Sequence, residues 1–290
     1  MDLPESVLSI ASQSRFDHLH MTGSQYRGLY GTVYEALARV GGRQEDIALR
    51  ILDRPESAVS EFADRITDTL GRFAPVTAHE RLVTVLDYGA RPRPWIATAM
   101  INERLADRGP MDFLSPLTTA RELVEGVAHL HQHDLIHGGL DPRAVVFVGG
   151  GFEDVGRGTP LIDNAGLMQE FRYDFEPATY LDPAYAAPEY YSQQFGIVDH
   201  QTDLYQLGAV LYYLVTGQPP YQGTFEELRT QVLHEPPPTP SEAGAPPGFD
   251  DIIRKAMANE KIKRYETVEY LQNDLTMIAA NREYEWVDGE

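Results

Sequence analysis

Three runs between residues 183 and 221 decide the fold: Pro183-Ala184-Tyr185-Ala186-Ala187-Pro188-Glu189, Thr202-Asp203-Leu204-Tyr205-Gln206-Leu207-Gly208 and Thr216-Gly217-Gln218-Pro219-Pro220-Tyr221. Asp203–Thr216 is apolar on most faces, which predicts a buried helix. Gly217 directly after it suits a glycine cap. The longest apolar run, Leu207–Val215, is broken by Gly208 and two tyrosines. It is too short to span a bilayer.

Upstream, Thr118–His133 has Leu123, Val127 and Leu130 on one helical face. Val145–Val148 and Pro160–Ile162 read as short strands. The loop from Gly149-Gly150-Gly151 to Gly158 has no following Lys-Ser or Lys-Thr, so it reads as a flexible hairpin rather than a phosphate loop. Earlier, Tyr30–Leu37 and Asp46–Leu52 read as strands joined at Gly41-Gly42. Residues 56–73 read as a helix with Phe62, Ile66, Leu70 and Phe73 on one stripe, followed by strands at Arg81–Tyr88 and Trp95–Ile101. Downstream, Pro236–Pro247 is a proline-rich surface loop and residues 249–281 give two helices. The expected organisation is α+β: a leader at 1–20, a small β-rich lobe at 21–101 and a mainly helical lobe at 102–290.

The three opening motifs, in that order and with Arg264 preceding Tyr265, resemble the eukaryotic-type Ser/Thr protein kinase family over about residues 24–280. The resemblance implies a bilobal kinase-like fold. It also implies a buried Glu189–Arg264 ion pair and hydrogen bonds from the catalytic-loop backbone to Asp203. These structural positions are intact.

The chemical positions are not. The family's catalytic loop reads His-Arg-Asp-Leu-x-x-x-Asn; here it is His137-Gly138-Gly139-Leu140-Asp141-Pro142-Arg143-Ala144. The base position is Gly139 and the metal-binding position is Ala144. Gly138 replaces the arginine that meets an activation-loop phosphate, so that switch is lost. His137 is expected to pack and cap. The third-strand lysine becomes Arg50, in Ile47-Ala48-Leu49-Arg50, and a guanidinium does not reproduce a compact ammonium. The resemblance places Arg65 opposite it, with Asp64 or Asp68 as the partner if the helix is shifted. The glycine-rich loop is Tyr26-Arg27-Gly28-Leu29-Tyr30-Gly31-Thr32-Val33: Gly28 and Gly31 persist, while Arg27 and Tyr30 are bulky. Close backbone approach to phosphate favours glycine, so this loop is expected to lie low over, or inside, the cleft. Asp-Phe-Gly becomes Asp163-Asn164-Ala165. Asp163 alone would hold a hydrated Mg²⁺ weakly, or simply cap the turn.

By resemblance, an adenine would lie between Val33 and Ala48 above and Val146 below, beside a hinge at Met100–Asn102 with Thr98 behind. Apolar lining without phosphate contacts implies weak ATP binding at best. Phosphoryl transfer depends on positioning and charge neutralisation. Losing several parts of one unit is hard to rescue. The expected function is therefore a pseudokinase scaffold that binds a protein partner. The alternatives are a weak Ser/Thr kinase using Asp141 and Arg50, or an ATP sensor without turnover.

Composition adds boundaries. The 290 residues carry a net charge of −20 and no cysteine. Lys255, Lys261 and Lys263 are the only lysines, a halophile-like (haloarchaeal) pattern. Near 1 M salt the Debye length falls to about 3 Å, so crowded carboxylates repel little. Nucleic-acid binding is not expected, because phosphate contacts need a basic face. The opening MDLPESVLSI has no basic segment before an apolar core, and a cytoplasmic location is expected.

Overall fold

The computed structural model describes residues 7, 9–10, 13–16, 18–53, 59–101, 103–107, 116–148, 158–174 and 177–287. Strands β1 (Leu19–Arg27), β2 (Gly31–Val40), β3 (Arg43–Leu52), β4 (Val85–Gly89) and β5 (Trp95–Ala99) form an antiparallel sheet ordered β1-β2-β3-β5-β4. Gly41 and Gly42 turn β2 into β3 with φ of 57° and 84°, the left-handed pair that a tight hairpin needs. Helix α1 (Val59–Phe73) buries the expected stripe Phe62, Ile66, Leu70 and Phe73.

The sequence reading missed β1. Most of its residues are exposed, so no apolar alternation marks it. The leader also differs from expectation. Val7 and Ile10 are fully buried against Ile47, Leu49 and Ala97. The Arg15 N–H donates to Asp87 Oδ2 at 2.7 Å. This segment therefore covers an apolar sheet face. Residues 1–6, 8, 11–12 and 17 of the leader, Asn102 of the hinge and residues 149–157 of the glycine-rich hairpin lie outside the described residues.

The second lobe contains a three-stranded sheet of β6 (Glu103–Arg104), β7 (Val145–Val148) and β8 (Thr159–Ile162). Its helices are α2 (Pro116–Gln132), α3 (Leu167–Asp174), α4 (Pro177–Tyr180), α5 (Pro188–Tyr191), α6 (His200–Thr216), α7 (Phe225–His234), α8 (Asp250–Ala256) and α9 (Val268–Val287). Helix α6 is its centre, with a fully buried run from Thr202 to Val210. Asp199 and Thr202 form a capping box at its start, and Gly217 ends it at φ 71°. A Cβ at Gly208 would meet Ala256 and Met257 at 2.8 Å, so glycine lets α6 and α8 touch. No described helix is long and apolar enough to cross a membrane.

Two buried polar clusters fix the second lobe. Arg264 forms a forked pair with Glu189, at 2.9 and 3.0 Å, and both side chains are fully buried. Its remaining hydrogen bonds go to the carbonyls of Gln201, Ala258 and Asn259. Glu189 also accepts from Thr202 Oγ1 at 2.6 Å. The pair is thus desolvated but fully hydrogen-bonded, the condition under which a buried charge is tolerated.

The second cluster centres on Asp203, which is fully buried. It accepts from the His137 N–H at 2.8 Å, the Gly138 N–H at 2.7 Å and His131 Nε2 at 2.9 Å. Burial pushes this carboxyl up. Donation from His131 and from the Gly138 N–H, with the charges of His131 and His137, outweighs burial and holds it below the usual range. One helical turn on, Gln206 Oε1 accepts from the Leu140 N–H at 3.1 Å. Helix α6 therefore holds the catalytic-loop backbone at three successive positions of known spacing.

Replacing Arg264 by Ala strands the Glu189 charge and is expected to cost about 3–5 kcal/mol in chemical denaturation. Arg264→Lys does not restore it, because an ammonium cannot reproduce the fork. Asp203 has a depressed folded pKa, so its contribution is complete above the unfolded value of about 3.9 and is lost as pH falls through the folded value. Asp203→Asn is therefore expected to lower neutral-pH stability and flatten the acid limb of a pH–stability curve.

Candidate functional site

The loop His137–Ala144 lies between α6 below and β8 beside it. His137 is fully buried. Its Nε2–H donates to the Asp163 carbonyl at 2.9 Å, and its Nδ1 accepts from the Gly139 N–H at 3.1 Å. Both ring nitrogens serve the backbone, so His137 positions the loop, as the resemblance implied. The Asp163 N–H closes onto the Ala144 carbonyl at 2.8 Å.

The space where a base would stand is filled. A Cβ built on Gly139 would lie 2.7 Å from Met168 Cβ and 3.1 Å from Tyr30 Oη. Met168 comes from α3 and Tyr30 from the glycine-rich loop, and both are fully buried. The Tyr30 hydroxyl has no hydrogen-bond partner. Burial, foremost, and the nearby Asp141 charge push this phenol far above its ordinary value. A base must release and regain a proton near the working pH, and this phenol cannot. Ala144 is buried and brings only a methyl group to the metal-binding position.

Asp141 does not replace the missing carboxylate. It is fully buried and grips the arginine two residues on, accepting from Arg143 Nη2 at 2.6 Å and from the Arg143 N–H at 2.8 Å. It also accepts from the Asp182 N–H at 3.3 Å. Its acceptor capacity serves the fold.

Arg50 corrects a second expectation. None of Arg65, Asp64 and Asp68 is its partner. Arg50 is 3% exposed; its Nη2 donates to Asp163 Oδ2 at 3.1 Å and its Nη1 to Asn164 Oδ1. Arg65 instead donates to Glu170 on α3 at 3.2 Å, and Thr69 Oγ1 donates to the same carboxylate at 2.8 Å. Helix α3 thus stands against α1 through Glu170, and Leu167, Met168 and Phe171 pack on Phe62, Ile66 and Leu70. The residues do not fit the family's Mg²⁺. Asp163 is neutralised by Arg50, Asn164 is turned to the same guanidinium and Ala144 has no ligand atom. No described group of three acidic, His or Cys side chains is arranged to hold a metal.

The glycine-rich loop lies inside the cleft, as its bulky residues implied. Gly28 and Gly31 make its turn, with the Gly28 N–H donating to the Gly31 carbonyl at 2.8 Å. Gly31 has φ 159°, and a Cβ there would lie 2.0 Å from the Ile51 carbonyl oxygen, so no other residue fits. Tyr30 stacks on Tyr180 at 5.4 Å and meets Phe171 edge-on at 4.9 Å; Phe171 in turn meets Phe62 at 5.3 Å. These contacts carry the aromatic chain from the loop through the activation segment to α1. The expected adenine shell is assembled but closed: Val33, Ala48 and Val146 have 0, 1 and 0% exposure, and Thr98 is buried. Met100 extends the sheet by donating its N–H to Asp46 O at 3.1 Å. At Gly138, the Tyr190 hydroxyl donates to the Gly138 carbonyl and Gln169 Cγ approaches the Cβ position at 3.3 Å. A neutral lining has replaced the phosphate-reading charge.

The sequence reading did not identify α3, Met168, Phe171 or Tyr180 as part of the site. Leu167, Met168 and Phe171 at helical spacing were a readable signal for α3. Nothing local marked Tyr180, which meets Tyr30 from 150 positions away.

Comparison with known proteins agrees with this architecture. The family model described as the protein kinase domain matches residues 27–276. The DNA damage-responsive serine/threonine-protein kinase RqkA of Deinococcus radiodurans is 30% identical over 264 residues, covering 84% of this chain and 36% of that protein. The serine/threonine-protein kinase PrkC of Bacillus subtilis is 24% identical over 253 residues, covering 79% of this chain and 36% of that protein. The chain therefore spans little more than a third of these curated relatives. In fold alone, it resembles the crystal structure of the Mycobacterium tuberculosis PknI kinase domain, with a TM-score of 0.64, 22% identity and coverage of 96% of this chain and 100% of that one. With the matched model spanning most of its length, the chain belongs to the protein kinase domain family.

Proposed function

We propose that this domain is a pseudokinase that keeps the kinase framework and presents it to a protein partner without transferring phosphate. One observation carries the reading: Met168 and Tyr30 occupy the space behind Gly139 where the reacting hydroxyl must be oriented. The charges beside that space are also satisfied internally, Arg50 by Asp163 and Arg143 by Asp141. Positioning and charge neutralisation are the main protein contributions to phosphoryl transfer, and both are committed elsewhere. A surface groove of about 240 Å³, lined by Leu181, Pro183, Ala186, Tyr190, Tyr191 and Phe225, offers a place for a partner; Phe225 is 47% exposed. The acid-rich, lysine-poor surface fits a salt-rich cell. That part of the reading is tested by whether the melting temperature rises on going to about 1 M KCl, where screening is nearly complete.

The names of the relatives favour a second reading, weak Ser/Thr phosphate transfer from ATP, because RqkA and PrkC are serine/threonine-protein kinases. That reading requires Asp141 to leave Arg143 and take over orientation of the hydroxyl. A radiolabel transfer assay with ATP and either Mg²⁺ or Mn²⁺ separates the two. The pseudokinase reading expects no incorporation above background. Incorporation that is lost in Asp141→Asn would establish the second reading instead.

Restoring the motif gives an independent check. Gly139→Asp pushes a carboxylate against Met168 and Tyr30 and is expected to destabilise by about 1–3 kcal/mol, the usual cost of overpacking. Adding Tyr30→Gly is expected to recover part of that loss, which a thermal melt would detect. If Gly139→Asp alone were neutral and active, the filled-cleft argument would be wrong.

A further inference from the structure

Beside the filled cleft lies a second arrangement that links the lobes. Arg27 and Asp53 belong to the first lobe, at the end of β1 and just after β3. Asp53 accepts from Arg27 Nη1 at 2.7 Å and from Tyr180 Oη, on α4 of the second lobe, at 3.1 Å. The Asp53 N–H also donates to the Tyr30 carbonyl at 2.9 Å. Tyr30 and Tyr180 stack with their planes 5° apart. One carboxylate thus ties the glycine-rich loop to the activation segment, and two parallel rings lie next to that tie.

This closed arrangement contains its own source of release. The Tyr30 hydroxyl and Arg50 Nε are both buried without hydrogen-bond partners. Buried polar groups left unmatched are costly, and both would be satisfied by water or by phosphate oxygens once the loop lifts. The tie itself is weakly protected. The Arg27 and Asp53 side chains are 58% and 23% exposed, so solvent competes for the bonds that hold the loop down. The buried plug favours opening and the exposed tie opposes it, which makes the element two-state.

We propose that Arg27, Asp53, Tyr30 and Tyr180 form a latch between the lobes, and that the phosphates of a nucleotide compete with the Tyr30 ring for the space under the glycine-rich loop. The proposal rests on the non-transferring reading above and adds how access to that cleft is controlled. Apparent affinity scales with the fraction of open molecules. The closed latch therefore lowers nucleotide affinity, and nucleotide binding opens the latch.

The chain has no cysteine, so two can be introduced without background. Ser24→Cys on the glycine-rich loop and Thr179→Cys on the activation segment are both at exposed positions and can carry spin labels for pulsed distance measurement. The probe ligand is ATP without divalent metal. The doubly labelled chain is expected to give one narrow distance, which lengthens on adding ATP. In the same background Tyr180→Phe, which removes one hydroxyl and keeps the ring, is expected to broaden the distribution toward longer values. It should also raise ATP affinity by about tenfold, the scale for losing one hydrogen bond to a charged group. Asp53→Asn should act in the same direction. The latch is refuted if ATP binds with the distance unchanged, if both variants leave distance and affinity as they were, or if ATP binds neither the parent nor the variants. Phosphate transfer measured on the same samples decides the non-transferring reading separately, since transfer with an intact, responsive latch would overturn that reading and leave the latch standing.

Discussion

The carboxylate of Asp203 governs the second lobe. It sits in the interior of α6, where an isolated charge would be prohibitive, and is tolerated because two backbone N–H groups and His131 donate to it. Those N–H groups belong to His137 and Gly138, the first residues of the catalytic loop. The loop conformation is therefore a condition for burying the charge, and it does not depend on the loop's own side chains. Gln206 extends the same support to Leu140. This explains how the loop keeps its course although Gly138, Gly139 and Ala144 have replaced charged or polar residues.

With the backbone held from below, the space above it could be refilled without loss of fold. Interiors tolerate few voids, and α3 supplies Met168 and Phe171 while the glycine-rich loop supplies Tyr30. The charges followed the same logic. Arg50 reaches further than a lysine and forks, so it joins Asp163 and Asn164 and needs no partner on α1. Released from that duty, α1 turns Arg65 and Thr69 to Glu170, which fixes α3 in place. The chain thus converted a cleft that manages phosphate charge into one in which most charge is neutralised internally. The exceptions are the orphan Tyr30 hydroxyl and Arg50 Nε.

How much of this could be read from the sequence depended on separation along the chain. The motifs around Glu189, Asp203, Gly217 and Arg264 were legible because each is short, and the structural pairs they implied are formed. The stripe of α1 and the hairpin at Gly41-Gly42 were legible from local periodicity and turn chemistry. Strand β1 was not, because most of its side chains face solvent and leave no alternation. The partner of Arg50 was misread because helical spacing put Arg65 forward, whereas the true partner lies 113 positions away. Asp141 was weighed as a substitute base from its place in the loop, but its grip on Arg143 and on the Asp182 N–H follows from three-dimensional packing.

The amino-acid sequence by itself determined the kinase-like framework and the loss of carboxylate and amide at Gly139 and Ala144, because those follow from residue identity at fixed spacing. Only the tertiary structure decided what replaced them. Whether a missing side chain leaves an open site or a sealed one depends on which distant residues pack into the space, and that is set by the joint packing of Tyr30, Met168, Phe171 and Tyr180.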